Sequence, residues 1–255
     1  MNNFLLLLKK EVWENWVNWK IPIILLAAVI CAILGPYASY QDYEAMNANN
    51  PYPQIITALS LIETPCSNLF SFLILFAPFL VMGAVAGEIK NHNAAALLIK
   101  PVGRTGYILS KWLTYFLMFG IAITVFLIIG ATYANVLAAE ANAFSDGTLW
   151  AVIGLFWGFI AFAVSVMILL STVNKNQIAA GALGLCVLLV SSTTSSIGVG
   201  KLIPGNLFNW AIALLSNSTV YYGGPAHAWP ALLTTVAIIV ASVFASISIM
   251  KRKEL

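Results

Sequence analysis

Two histidines, three cysteines and nine carboxylates are the side chains of this 255-residue chain from which an active site could be built. His92 and His227 fall in connecting segments on opposite sides of the predicted membrane spans, so they cannot share a metal ion. Cys31, Cys66 and Cys186 show no CxxC spacing and no disulfide framework, and read as small apolar fillers. The chain has no HExxH, no GxSxG and no paired acids on a transmembrane face. Gly198-Val199-Gly200-Lys201 imitates the tail of a phosphate-binding loop, but Ser195 stands where the first glycine belongs. Leu202 follows the lysine where Ser or Thr is required. No catalytic residue, metal site or cofactor site is assigned to the chain itself. Carriers driven by a proton or sodium ion usually bury an ionisable residue at mid-membrane, and every charge of this chain falls at a predicted span boundary or in a loop.

Two segments remain as functional candidates. The first is the stretch 88–111, which carries Glu88, Lys90, Lys100, Arg104 and Lys111. Ala94–Ile99, with Leu97 and Leu98, is a strong helix former. Pro101 stops it and Gly103 allows a turn, after which a second short helical piece leads into the next span. A plain connector needs only a few residues, so this basic elbow reads as a docking surface for a soluble partner. The second is the hydroxyl run Ser191, Ser192, Thr193, Thr194, Ser195 and Ser196. Some of these hydroxyls must face away from their own helix, and they are expected to line the outer part of a substrate pathway.

The elements that position these residues are set by composition. The chain is 61% hydrophobic and 8% charged, with a mean hydropathy of +0.91. A water-soluble domain needs about a quarter charged residues, so lipid is the expected solvent. Six charge-free stretches are long enough to cross: Ile21–Tyr40, Thr64–Gly87, Trp112–Ala139, Gly147–Asn174, Asn176–Gly200 and Pro225–Met250. They do not alternate as barrel strands would, so helices are predicted. The expected class is all-α, a polytopic membrane protein of six transmembrane helices filling residues 21–250. Residues 1–20 precede them as an interfacial amphipathic helix, with Phe4, Leu8, Val12, Trp16 and Trp19 on one face. An uncleaved first span is expected rather than a signal peptide. Residues 201–228 form an outer segment whose amphipathic middle, Leu207–Leu215, is expected to be a short re-entrant helix. Residues 251–255 are a tail.

Eleven basic residues, Lys9, Lys10, Lys20, Lys90, Lys100, Arg104, Lys111, Lys175, Lys251, Arg252 and Lys253, fall in alternate segments, and Lys201 alone falls in the others. The positive-inside rule therefore predicts cytoplasmic N- and C-termini in a cell (inner, cytoplasmic) membrane.

The segment after span two resembles the permease subunits of ABC-2 type transporters. In that family an acidic residue ends span two, a helical stretch follows, and a Pro-Val-x-Arg turn precedes a Tyr-Ile-Leu-x-Lys lead into span three. Glu88, Leu97-Leu98, Pro101-Val102-Gly103-Arg104 and Tyr107-Ile108-Leu109-Ser110-Lys111 match in order. Asn91-His92-Asn93-Ala94 stands where members often carry a Gly-Thr pair. The resemblance implies a type V exporter-like fold and a homodimer resting on separate cytoplasmic ATPase subunits. ATP and Mg would bind in that partner, and residues 88–111 would be the coupling loop that contacts it. It also implies export, and the nearly charge-free interior suits a hydrophobic or amphipathic cargo: a peptide, an antibiotic or a lipid-like molecule. The alternatives are an ATP-independent secondary carrier or channel, or a non-transporting immunity or sensor protein on the same scaffold.

Overall fold

The computed structural model describes residues 3–48, 50, 55–90, 103–138, 142–144, 147–193, 202–216 and 228–252. They form nine helices and no strand: α1 (Asn3–Val17), α2 (Lys20–Ala48), α3 (Ser60–Val81), α4 (Ala86–Lys90), α5 (Arg104–Leu137), α6 (Thr148–Val173), α7 (Gln177–Thr193), α8 (Asn206–Leu215) and α9 (Ala228–Arg252). Five segments are long and apolar enough to cross a membrane: α2, α3 with α4, α5, α6 and α9. The expected fifth crossing, Asn176–Gly200, is described only as the 17-residue α7, and residues 194–201 lie outside the described residues.

α6 is the centre of the bundle. Its sequence is apolar on all sides, and it is the most buried of the five long segments, whereas α2 and α9 are the least. It packs against α5, α7, α8 and α9, while α2 lies along α5 and α3. Lipid-like faces remain outside: Ile23, Leu26 and Leu34 on α2, and Leu233, Val240 and Phe244 on α9, are exposed.

Close approach in lipid relies on small residues and buried polar contacts rather than on hydrophobic exclusion. The Trp112 indole donates to Ser165 Oγ at 2.7 Å and the Trp157 indole to Thr124 Oγ1 at 3.0 Å, joining α5 to α6 twice. Gly35 lets α2 meet Pro65 of α3, since a Cβ there would stand 2.7 Å from the proline ring.

Three expectations change. The first span ends at Ala48 rather than Tyr40, because the helix continues through Tyr43 and Glu44 of the expected loop. The separate helical piece before span three does not exist, since α5 runs unbroken from Arg104 through Lys111 to Leu137. Span two is in turn broken: α3 stops at Val81 and α4 resumes at Ala86. The short helix expected at Leu207–Leu215 is present as α8. It folds into the bundle, with Phe208 stacked 3.5 Å from Phe70 and Leu207 against Gly158, about three turns into α6.

Candidate functional site

Two of the charged residues that flank segment 91–102, Glu88 and Lys111, turn into the protein rather than into water. Lys111 is 2% exposed, and its ammonium donates to both carboxylate oxygens of Glu11 at 3.0 Å and to Glu88 Oε1 at 2.8 Å. The Tyr107 hydroxyl donates to Glu88 Oε2 at 2.6 Å, filling the other face of that carboxylate. Lys10 closes the cluster, 3.1 Å from Glu14, 3.4 Å from Glu88 and 3.5 Å from Glu11.

Helical spacing explains the arrangement. Tyr107 and Lys111 are four residues apart on α5, so both face the same neighbour. On α1 the inward stripe is Leu7, Glu11 and Asn15, also at intervals of four. α4 delivers Glu88 between them. The cluster thus joins three segments far apart in the chain, and it does so where α4 enters and α5 leaves residues 91–103.

The electrostatics favour the charged form of Lys10. Burial would discharge Lys10, but the carboxylates of Glu11, Glu88 and Glu14 outweigh it and raise its affinity for the proton above that of a free lysine. Glu11, Glu14 and Glu88 bring one oxygen each within 4.8 Å of the others, a spacing that could hold a cation. Lys10 and Lys111 already supply that positive charge.

Arg104 serves a different element. Its guanidinium Nη1 donates to the carbonyls of Met250 at 3.1 Å and Lys251 at 2.6 Å, capping the last turn of α9. A cation at a helix C-terminus satisfies carbonyls that the helix leaves open.

The expected contact residues therefore divide. Lys90 is exposed. Glu88, Arg104 and Lys111 are committed to partners within the chain. Leu97, Leu98, Lys100 and Pro101 lie outside the described residues, as does His92. Glu11, the second anchor of Lys111, does not stand out in the sequence. Its signal is its place as the only acid at an i, i+4 position between Leu7 and Asn15, a stripe that is apolar above and polar below.

Where it is described, the hydroxyl run bonds to backbone groups of α7 and of the start of α8. Ser191 is buried and accepts the Gly205 N–H at 3.1 Å, which ties α7 to the start of α8. Ser192 and Thr193 donate to the Leu189 carbonyl at 2.8 and 3.0 Å. Thr194, Ser195 and Ser196 lie outside the described residues.

α1 presents its other side outward. Trp13, Trp16, Val12 and Leu5 are exposed and, with Leu8 and Lys9, line a shallow apolar trough. The side of α1 that carries Val12, Trp13 and Trp16 is thus free of the bundle, while the opposite side carries Glu11.

Among known proteins, the chain is similar to an uncharacterized transmembrane protein, YxlG, of Bacillus subtilis strain 168. The two are 27% identical over 192 residues, which cover 72% of this chain and 73% of that relative. The family described as ABC-2 family transporter protein matches residues 35–247. That match spans most of the chain and all five long apolar segments in whole or in part, and it agrees with an all-helical membrane bundle whose charged residues gather beside the segment after span two. The chain belongs to the ABC-2 transporter family, whose members are non-catalytic membrane components of transport and normally work with an ABC ATPase.

Proposed function

We propose that this chain is the permease subunit of an ATP-binding cassette exporter, driven by a separate cytoplasmic ATPase that pushes on the segment after span two. The observation that carries this reading is the buried clasp of Glu88 with Lys111, Tyr107 and Glu11. A segment that only joined two spans would need no such anchorage. A segment pushed by another protein needs both of its ends held, or the push is lost in local bending. Here α4 and α5 are bonded to each other and to α1 at the base of residues 91–103.

In this account Leu97, Leu98, Lys100 and Pro101 meet the ATPase, and Lys90 stands at the edge of the contact. Glu88, Lys111 and Arg104 hold the frame rather than the partner. ATP and Mg bind in the ATPase. Two copies of the permease enclose the pathway, α7 with its continuation makes the sixth crossing, and α8 is re-entrant. Both termini face the cytoplasm, as the basic residues require. The cargo is a hydrophobic or amphipathic molecule, such as a peptide, an antibiotic or a lipid-like compound, because the described spans offer mostly apolar surface and scattered hydroxyls, with their few charged side chains toward the ends.

Co-purification tests this. Tagged protein from its native membrane should retain a phosphate-binding-loop ATPase, and Leu98→Glu combined with Lys100→Glu should release it. Arg104 is unsuited to that test because its guanidinium is already spent on the α9 carbonyls. Native protein that never retains an ATPase would leave an ATP-independent carrier as the better reading.

A further inference from the structure

Span two has a built break. α3 ends at Val81, α4 begins at Ala86, and Met82–Val85 between them is a turn. Pro78, one turn earlier, has no N–H to give to the ladder. In an unbroken helix the N–H groups of Val85 and Ala86 would reach the carbonyls of Val81 and Met82. Here both donate to Ser171 Oγ of α6, at 3.1 and 3.0 Å, and the Ser171 hydroxyl donates to the Met82 carbonyl at 2.8 Å. Lys20 of α2 lies 3.4 Å from the Leu80 carbonyl. The Gln177 amide oxygen of α7 lies where a Cβ on Gly83 or Gly87 would crowd it, at 3.3 and 3.2 Å.

Two helices, α2 and α6, thus lend polar side chains to one interruption, and a third, α7, packs closely beside it. Backbone groups freed inside a membrane protein need such substitutes, and their presence here means the break is sustained rather than incidental. The break also divides two sets of contacts. Above it, α3 is held by Pro65 against Gly35 of α2 and by Phe70 against Phe208 of α8. Below it, α4 is held by Glu88 to Lys111 and Tyr107 of α5 and to Lys10 of α1. α5 itself is an unbroken rod of 34 residues, about 50 Å long.

We propose that Met82–Val85 is the hinge of the permease, with α1, α4 and α5 turning as one body relative to α3, and Ser171 the positioning residue that holds the hinge backbone. The inference rests on the reading of residues 91–103 as the segment an ATPase pushes. A push there travels up the α5 rod to the far side of the membrane, while the parallel route through α4 ends at the hinge. Two neighbouring spans given the same push at their base therefore move differently above it, and that shear is what opens a path between them.

The test uses the intact complex of permease and ATPase in lipid nanodiscs, with Cys31, Cys66 and Cys186 replaced by alanine and spin labels placed in pairs. Trapping with ATP and vanadate should leave the distance between labels at Trp13 and Thr105 unchanged. It should shift the distance between Trp13 and Leu75 by roughly 5 Å, one helical turn. Ser171→Val, which has the branched shape of threonine but loses the hydrogen bonds, should lower transport per ATP hydrolysed by about tenfold with the ATPase still bound. Ser171→Thr should restore it. A working complex with a fixed Trp13–Leu75 distance, or Ser171→Val with native transport per ATP, overturns the hinge alone. A complex that never holds an ATPase overturns the reading beneath it and the hinge together.

Discussion

The Lys111 ammonium and the Glu11 carboxylate, 100 positions apart in sequence, meet at 3.0 Å with both side chains almost wholly buried. An ion pair this deep is rarely the most stable filling for its space, because two charges must leave water to form it. Its value is in specification: it allows one docking of α1 on α5 and excludes its neighbours. Removing one partner is costly. Lys111→Met should destabilise the protein by about 3–5 kcal/mol, since it removes the buried counter-charge of Glu11 and Glu88 and leaves them only the partly exposed Lys10, 3.4–3.5 Å away. Thermal unfolding in detergent checks this. Lys111→Met combined with Glu11→Gln and Glu88→Gln should regain most of the loss.

Arg104 tethers the start of α5 to the end of α9 through two backbone carbonyls. Arg104→Ala should loosen the last turn of α9 while leaving the middle of the helix intact, at a cost of about 1 kcal/mol for a partly exposed pair of hydrogen bonds. Hydrogen exchange followed by mass spectrometry should show faster exchange in 248–252 and no change near Ser242. Equal protection in both regions would show that the cap contributes nothing.

Gly205 and Gly154 make a matched pair. A Cβ on Gly205 would collide with the Ser191 carbonyl oxygen, whereas a Cβ on Gly154 meets nothing within 4 Å. Gly205→Ala should therefore separate α7 from α8 and lower the melting temperature. Gly154→Ala, in a helix interior, should be neutral or stabilising by about 0.5–1 kcal/mol. The same thermal assay on both variants decides it, and equal effects would contradict the packing described at Ser191.

The hydroxyl contact between α5 and α6 predicts a smaller effect. Ser165→Ala removes the acceptor of the Trp112 indole and should cost about 0.6 kcal/mol, the usual size of a buried polar contact between membrane helices. Ser165→Thr, which keeps the oxygen, should cost less, and tryptophan fluorescence should report the altered indole environment only in the alanine variant.

The all-helical bundle was legible because apolar runs such as Thr148–Val173 have one stable form in lipid. The short helix at Leu207–Leu215 was legible from its amphipathic spacing. The ends of elements were less so. Tyr43 and Glu44 look like loop residues by polarity, yet a helix that leaves the membrane continues into water without penalty, and the Tyr40 hydroxyl donates to Glu44 at 2.7 Å one turn on. The break in span two was hidden because Met82-Gly83-Ala84-Val85 is as apolar as its surroundings. Its stabiliser, Ser171, is 86 positions from Val85 and comes from another helix. The segment after span two was recognisable from Pro101, Arg104 and the Tyr107–Lys111 lead. The inward turn of Lys111 was not, because its partner Glu11 lies on a helix that reads as a surface element. A lysine beside an apolar run reads as a boundary marker, and only the fold shows that it is instead the counter-charge of two buried acids.

The most direct measurement places a photo-reactive residue at Leu98 and irradiates intact cells. A single cross-linked product should join this chain to a cytoplasmic ABC ATPase and be lost when the ATPase is deleted. Labelling of a cysteine at the same position by a membrane-impermeant reagent added outside the cell would contradict it.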